Sequence, residues 1–146
     1  MMATSIQPVM TASAVEAYLE AVFPQVSADG KVFTVTAVGP MRADLRMAYS
    51  ERLLRPGGTI SGPAMFTLAD LALYVTILAH VGEEALAVTT NINLNFLRKP
   101  APAAMIGRCT LLKLGKRLAV GEVGLYSEGQ DEMVAHAMGT YSIPPR

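Results

Sequence analysis

Cysteine is almost missing from this 146-residue chain: Cys109 is the only one, so no internal disulfide can form. A lone cysteine fits a reducing compartment, and the expected location is the cytoplasm. Cys109 stands inside a strand-like run with no motif around it and reads as buried and inert. Histidine is scarce too: His80 and His136 are isolated, and with one cysteine they do not make a metal-ligand set. No metal and no separate cofactor are expected. Neither sign of charge is in excess, with 12 Lys plus Arg against 12 Asp plus Glu. That balance argues against a nucleic-acid binder, while leaving room for a small anion held by a few local cations. No Gly-x-Gly-x-x-Gly or phosphate-loop run is present. Gly58-Thr-Ile-Ser-Gly62 has its serine one place away from the Gly-x-Ser-x-Gly of serine hydrolases. The chain opens without a basic segment followed by an apolar one, so no secretory signal is expected.

Against this background one charge stands out. Asp70 is the only residue carrying a full charge in the apolar stretch Ala64-Met-Phe-Thr-Leu-Ala-Asp-Leu-Ala-Leu-Tyr-Val-Thr-Ile-Leu-Ala79. A helix apolar on all sides is wrapped by the rest of its fold, which places the carboxylate in the interior or beside a cleft. Desolvating it costs several kcal/mol, roughly, unless it is hydrogen-bonded, paired or protonated. Either a structural partner, such as Arg55 or nearby hydroxyls, or a chemical role accounts for its place. The stretch falls short of the about 20 apolar residues of a membrane span and carries a central carboxylate, so a core helix is expected and no membrane partner.

The remaining pattern is mostly strand. The first ten residues read as frayed, and Thr11 or Ser13 can cap a short helix carrying Val15, Tyr18, Leu19 and Val22, stopped at Phe23-Pro24. After Asp29-Gly30 the period changes: strands are predicted over 32–38, ended by Gly39-Pro40, and over 41–49, where Met41, Ala43, Leu45, Met47 and Tyr49 alternate with polar residues. The loop 55–63, with three glycines and two prolines, leads into the apolar helix, and Pro63 suits its first turn. Four more strands follow, over 86–96, 105–114, 118–126 and 133–143. In the first of these, Leu86, Val88, Thr90, Ile92, Leu94 and Phe96 are expected on one face, with Ala87, Thr89, Asn91, Asn93 and Asn95 on the other. The expected class is α+β, an antiparallel sheet with one long helix on a face. Residues 1–29 form an N-terminal segment and 30–146 the main domain. Such a sheet leaves edges to cover, which points to a homodimer or homotetramer.

Several of these segments resemble the hotdog-fold thioesterases of the phenylacetate pathway (PaaI-type). Gly62-Pro-Ala-Met-Phe-Thr-Leu-Ala-Asp70 is similar to their His-Gly-Gly-x5–6-Leu-x-Asp stretch. Thr89-Thr-Asn-Ile-Asn-Leu-Asn-Phe96, with its basic-Pro turn, and the strand pair around Leu114-Gly-Lys-Arg-Leu118 match as well. The resemblance covers about residues 30 to 143 and implies a curved antiparallel sheet wrapped around one central helix. It implies acyl-CoA or aryl-CoA thioester hydrolysis, with coenzyme A part of the substrate. On this resemblance Asp70 acts on the thioester as base toward water or as nucleophile. The Gly62 N–H at the helix start stabilises the oxyanion, and Thr89, or Thr90 beside it, supports the water. The site is completed across a subunit interface.

This chain departs from the family pattern at Arg55, Ser61 and Pro63, around the expected substrate. Pro63 lacks an N–H, removing one oxyanion donor, and Arg55 could bind a carboxylate or phosphate. These departures keep open a second reading, a non-catalytic hotdog protein that binds acyl-CoA or another small molecule. A hydratase is disfavoured because no histidine closely follows Asp70. Ser61-Gly62 fits either a plain helix-entry turn or an oxyanion-binding helix end. Arg98, Lys99, Lys113, Lys116 and Arg117 are candidates for the coenzyme A phosphates, or simply solvated turn charges. His80 reads as a helix C-terminal cap, and His136 as a satisfied structural residue.

Overall fold

A computed structural model describes residues 6–28 and 30–145; the readings for residues 1–5 and for Asp29 lie outside this range. Helix α1 spans Ala12–Val22, capped by Thr11, whose hydroxyl accepts from Ala14 N at 3.2 Å. Its buried face, Val15 and Leu19, packs against the body, and a 3-10 turn follows over Pro24–Ser27. Strands β1 (Phe33–Gly39) and β2 (Arg42–Met47) form a hairpin, helix α2 runs over Gly62–Val81, and β3 (Val88–Phe96), β4 (Met105–Leu114), β5 (Leu118–Ser127) and β6 (Met133–Ser142) follow. They make one antiparallel sheet in the order β1-β2-β4-β5-β6-β3. This is the hotdog fold. Tyr49 falls outside β2 and is exposed.

Helix α2 is longer than the apolar stretch, 20 residues, because Ser61 caps its entry and Pro63 sits in its first turn. It is long and apolar enough to cross a membrane by composition, yet most of it is enclosed by the sheet and α1, as a core helix is. The sheet can wrap it closely because glycines stand where it presses hardest. Gly121 and Gly139 are directly opposed on β5 and β6. A Cβ there would meet the Leu73 side chain at 2.8 and 2.5 Å. Absent side chains on the sheet therefore form the hollow that seats Leu73.

Two expectations change. The first ten residues are not frayed throughout, since Val9 N and Met10 N both donate to Ala79 O, at 2.7 and 3.1 Å. His80 is not a terminal cap. It is buried, its Nδ1 donates to Thr76 O (2.8 Å) and its Nε2 accepts from Met41 N (2.8 Å). That bond holds the Pro40–Met41 turn, where Met41 takes a φ of 60° that non-glycine residues rarely adopt. His136 does have its partner, Glu122 Oε2 at 3.1 Å on the neighbouring strand.

The two sheet edges differ. Along β1, the Glu16 carboxylate of α1 accepts the Val35 N–H at 2.7 Å. Along β3 no described element covers the free edge, which exposes Val88, Phe96 and Leu97. The β3 register also corrects the predicted faces. A bulge at Thr90 separates Thr89, opposite Tyr141, from Asn91, opposite Thr140. Ahead of the bulge Ala87 and Thr89 turn inward while Leu86 and Val88 are exposed; beyond it Ile92 and Leu94 turn inward and the three asparagines outward. One extra residue flips the face.

Candidate active site

Asp70 lies midway along α2, half-buried, on the side facing β3 and β6. Thr89 Oγ1 donates to its Oδ1 at 2.6 Å, and the Tyr141 hydroxyl lies 2.7 Å from the same oxygen. Tyr141 OH is also 3.0 Å from the Asp70 carbonyl, and its ring stacks on Tyr74 with centroids 6.2 Å apart. Burial, followed by the Asp70 charge, holds the Tyr141 phenol far above its ordinary pKa, so it stays a hydrogen-bond donor. Two hydroxyls on one oxygen orient the carboxylate and leave Oδ2 without a partner among the described residues. Since no side-chain oxygen is both buried and unpaired there, Oδ2 opens to space. Two clefts, of about 220 and 460 Å³, meet at Asp70.

Arg55 is exposed and makes no ion pair with Asp70, so the carboxylate's structural partners are hydroxyls. Nothing in the sequence singles out Tyr141. It sits near the end of β6 between Thr140 and Ser142, and only the pairing of β6 with β3 brings it to Asp70. The bulge places Thr89 there; without it Thr89 would face away. Thr89 donates its proton to the carboxylate and so positions Asp70, while its oxygen keeps lone pairs able to accept from a water. Thr90 turns elsewhere, its hydroxyl 3.2 Å from Thr140 O.

A third cleft, of about 510 Å³, lies at the start of α2 and is lined by Arg55, Gly62, Met65, Phe96, Arg98 and Lys99, among others. Ser61 accepts the Ala64 N–H at 3.2 Å, Met65 N donates to Ser61 O, and Pro63 has no N–H. Among the described residues, Gly62 therefore carries the one N–H of the first helical turn left without a partner. Phe96 stands directly against it: a Cβ on Gly62 would be 3.3 Å from Phe96 Cζ. Ser61 is a cap, and neither it nor the exposed Pro63 lines the cleft. Three cations and no described carboxylate line it; Arg98 also pairs with Glu132 at 3.1 Å.

Two expected groupings separate. Lys113, Lys116 and Arg117 flank the β4–β5 turn, by the start of β3, since Leu118 and Val88 both lie opposite Ser142. Arg98 and Lys99 follow the end of β3, about 30 Å away along nine strand residues. Gly62 and Asp70, eight residues apart on one helix, are separated by about 12 Å and line different clefts. A single carbonyl cannot touch both in one chain. Cys109 is buried as expected, its thiol pushed up to about 12 by that burial.

Known proteins share this fold. A protein from Silicibacter sp. TM1040 bearing the name "putative thioesterase" shares 48% identity over 97% of both chains, with a TM-score of 0.87. A mutant form of phenylacetic acid degradation protein PaaI from Thermus thermophilus has the same fold, with a TM-score of 0.68 at 22% identity over 88% of this chain and 99% of its own. "Putative esterase Ta0293" of Thermoplasma acidophilum is 26% identical over 76% of this chain and 83% of its own. The thioesterase superfamily model matches residues 57–134, from the loop before α2 into β6, and the chain belongs to the thioesterase superfamily.

Proposed function

We propose that this protein hydrolyses acyl-CoA or aryl-CoA thioesters, with Asp70 acting on the carbonyl from one subunit and the Gly62 N–H from another. The observation that carries the reading is the Asp70 carboxylate itself. Oδ1 is fixed by Thr89 and Tyr141, and Oδ2 has no partner among the described residues and lies beside two clefts. A carboxylate so held is oriented for proton abstraction and keeps an accepting lone pair for water.

Asp70 Oδ2 takes a proton from water as the oxygen attacks the thioester carbon. The carbonyl oxygen becomes an oxyanion that accepts the unpaired Gly62 N–H, aided by the helix dipole. Collapse breaks the C–S bond, the proton returns to the leaving thiolate, and free acid and coenzyme A leave. Direct attack by Asp70 uses the same placement. The C–S bond breaks, the thiolate leaves as coenzyme A after taking a proton from water, and the mixed anhydride is hydrolysed to free acid and the regenerated Asp70 carboxylate. The cations Arg55, Arg98 and Lys99 suit the phosphates of coenzyme A, and no separate cofactor is invoked.

The distance between Gly62 and Asp70 supports a second copy. Thr89, which holds Asp70, is near the start of β3, and Phe96, which packs on Gly62, is at its end. Two β3 edges paired antiparallel would set the end of one against the start of the other. Gly62 of each copy would then approach Asp70 of the other, and Lys116 and Arg117 would approach Arg98 and Lys99. The uncovered, partly apolar β3 edge favours such pairing.

The test is thiol release over a panel of aliphatic and aryl CoA esters. Turnover of at least one class is expected. Binding without thiol release would instead favour the non-catalytic reading, for which the missing Pro63 N–H speaks. Neither binding nor turnover would overturn both.

A further inference from the structure

The two clefts at Asp70 share only Phe23, Asp70 and Leu71 among their linings. Phe23 therefore borders both clefts, as Asp70 and Leu71 do, and of these three it alone comes from outside α2. It comes from the C-terminal end of α1, outside the 57–134 segment that the family model matches. Its position is fixed: its N–H donates to Leu19 O at 2.8 Å, Pro24 starts the 3-10 turn behind it, and Val26 N donates back to Phe23 O at 3.1 Å. Helix α1 is tied to the body by Glu16, which accepts from Val35 N, and by ion pairs from Glu16 and Glu20 to Lys31.

The larger cleft, about 460 Å³, falls within the usual size range of small-molecule sites. Phe23, Phe33, Phe66 and Val26 give it apolar walls, and among the described residues Asp70 is its only charged lining residue. Phe23 and Phe66 are each 41% exposed there, a large area of aromatic surface beside a carboxylate whose Oδ2 has no partner among the described residues. An uncharged acyl or aryl group suits such walls; a carboxylated one would face Asp70 with no cation among the described lining residues.

We propose that Phe23 is a specificity-determining residue: the apolar part of the thioester lies in the Phe23–Phe33–Phe66 cleft, and α1 with its 3-10 turn sets the size of group admitted. This rests on the reading that Asp70 acts on a thioester, and it commits the substrate to an uncharged aliphatic or aryl acyl group. The wall that selects the group belongs to the N-terminal segment, so it can change independently of Asp70 and Gly62.

The test separates this proposal from the hydrolytic one by measuring binding where turnover is suppressed. The Asp70→Asn protein is titrated with butanoyl- through decanoyl-CoA and phenylacetyl-CoA. Each methylene entering the cleft should tighten binding about two- to fourfold until the cleft is full. In the Asp70→Asn background, Phe23→Trp should shorten the longest well-bound chain by about two methylenes and Phe23→Leu should lengthen it. Both replacements keep apolar bulk at the end of α1. Affinity independent of acyl length, or a Phe23 effect equal for every acyl group, would overturn the proposal. So would dissociation of subunits by the Phe23 variants in sedimentation, which would make the cleft a subunit contact. If the unaltered protein releases no thiol but the length profile moves with Phe23, the hydrolytic reading fails and the acyl cleft stands.

Discussion

At the scale of single residues, the site turns on how Asp70 is held. Its presence in an apolar helix was legible in the sequence, because no other residue of that stretch carries a full charge. What holds it was only half legible: Thr89 came from a family pattern, while Tyr141 lies 71 positions away and meets Asp70 only through strand pairing. Tyr141→Phe removes one of two hydrogen bonds to a charged oxygen, and kcat/KM should fall roughly tenfold, as measured by thiol release. The same substitution has a pH signature. The folded state raises the Tyr141 pKa above its ordinary 10.0. Below the ordinary value both folded and unfolded chains hold the proton, and the contribution to stability is fully present. As pH rises further the unfolded chain loses that proton first, so stability falls toward the folded-state pKa. Urea midpoints should therefore drop between about pH 9 and 11, and the drop should be smaller in Tyr141→Phe. An equal drop in both proteins would remove Tyr141 from the account.

Among the elements, order and type were readable because the hydrophobic period changes sharply at each boundary. Helix α2 and all six strands occur in the expected order, with ends shifted by a few residues. The face of β3 was not readable, since period-two alternation has no mark for a bulge and Thr90 is neither glycine nor proline. Nor did the sequence indicate that Gly121 and Gly139 would be opposed under Leu73, a consequence of register alone. Gly139→Ala should cost about 1–3 kcal/mol in urea unfolding, because its Cβ would stand 2.5 Å from Leu73 Cδ1. Adding Leu73→Ala should relieve part of that strain. Strict additivity of the two losses would show that the hollow is not what Gly139 provides.

For the whole molecule, the decisive feature is the separation of Gly62 and Asp70 by two helical turns. No single-chain sequence pattern reveals which copy supplies each group, and a motif read along one helix suggests that both act together. In the proposed mechanism they belong to different subunits. Asp70→Ala and Gly62→Pro, the second removing the unpaired N–H, should each be inactive alone. Co-expressed, they should regain about a quarter of the activity, because half the random dimers carry one intact site. No recovery in verified mixed dimers would place both groups in the same subunit's site.

The central claim is that Asp70 performs the chemistry. Its most direct test is the steady-state release of coenzyme A thiol by Asp70→Asn, compared with the unaltered protein on the best substrate of the panel. Circular dichroism and Tm should show that both are equally folded. The expected result is a fall in kcat of about 10²–10⁴-fold. A variant that keeps a tenth or more of the original kcat would contradict the claim.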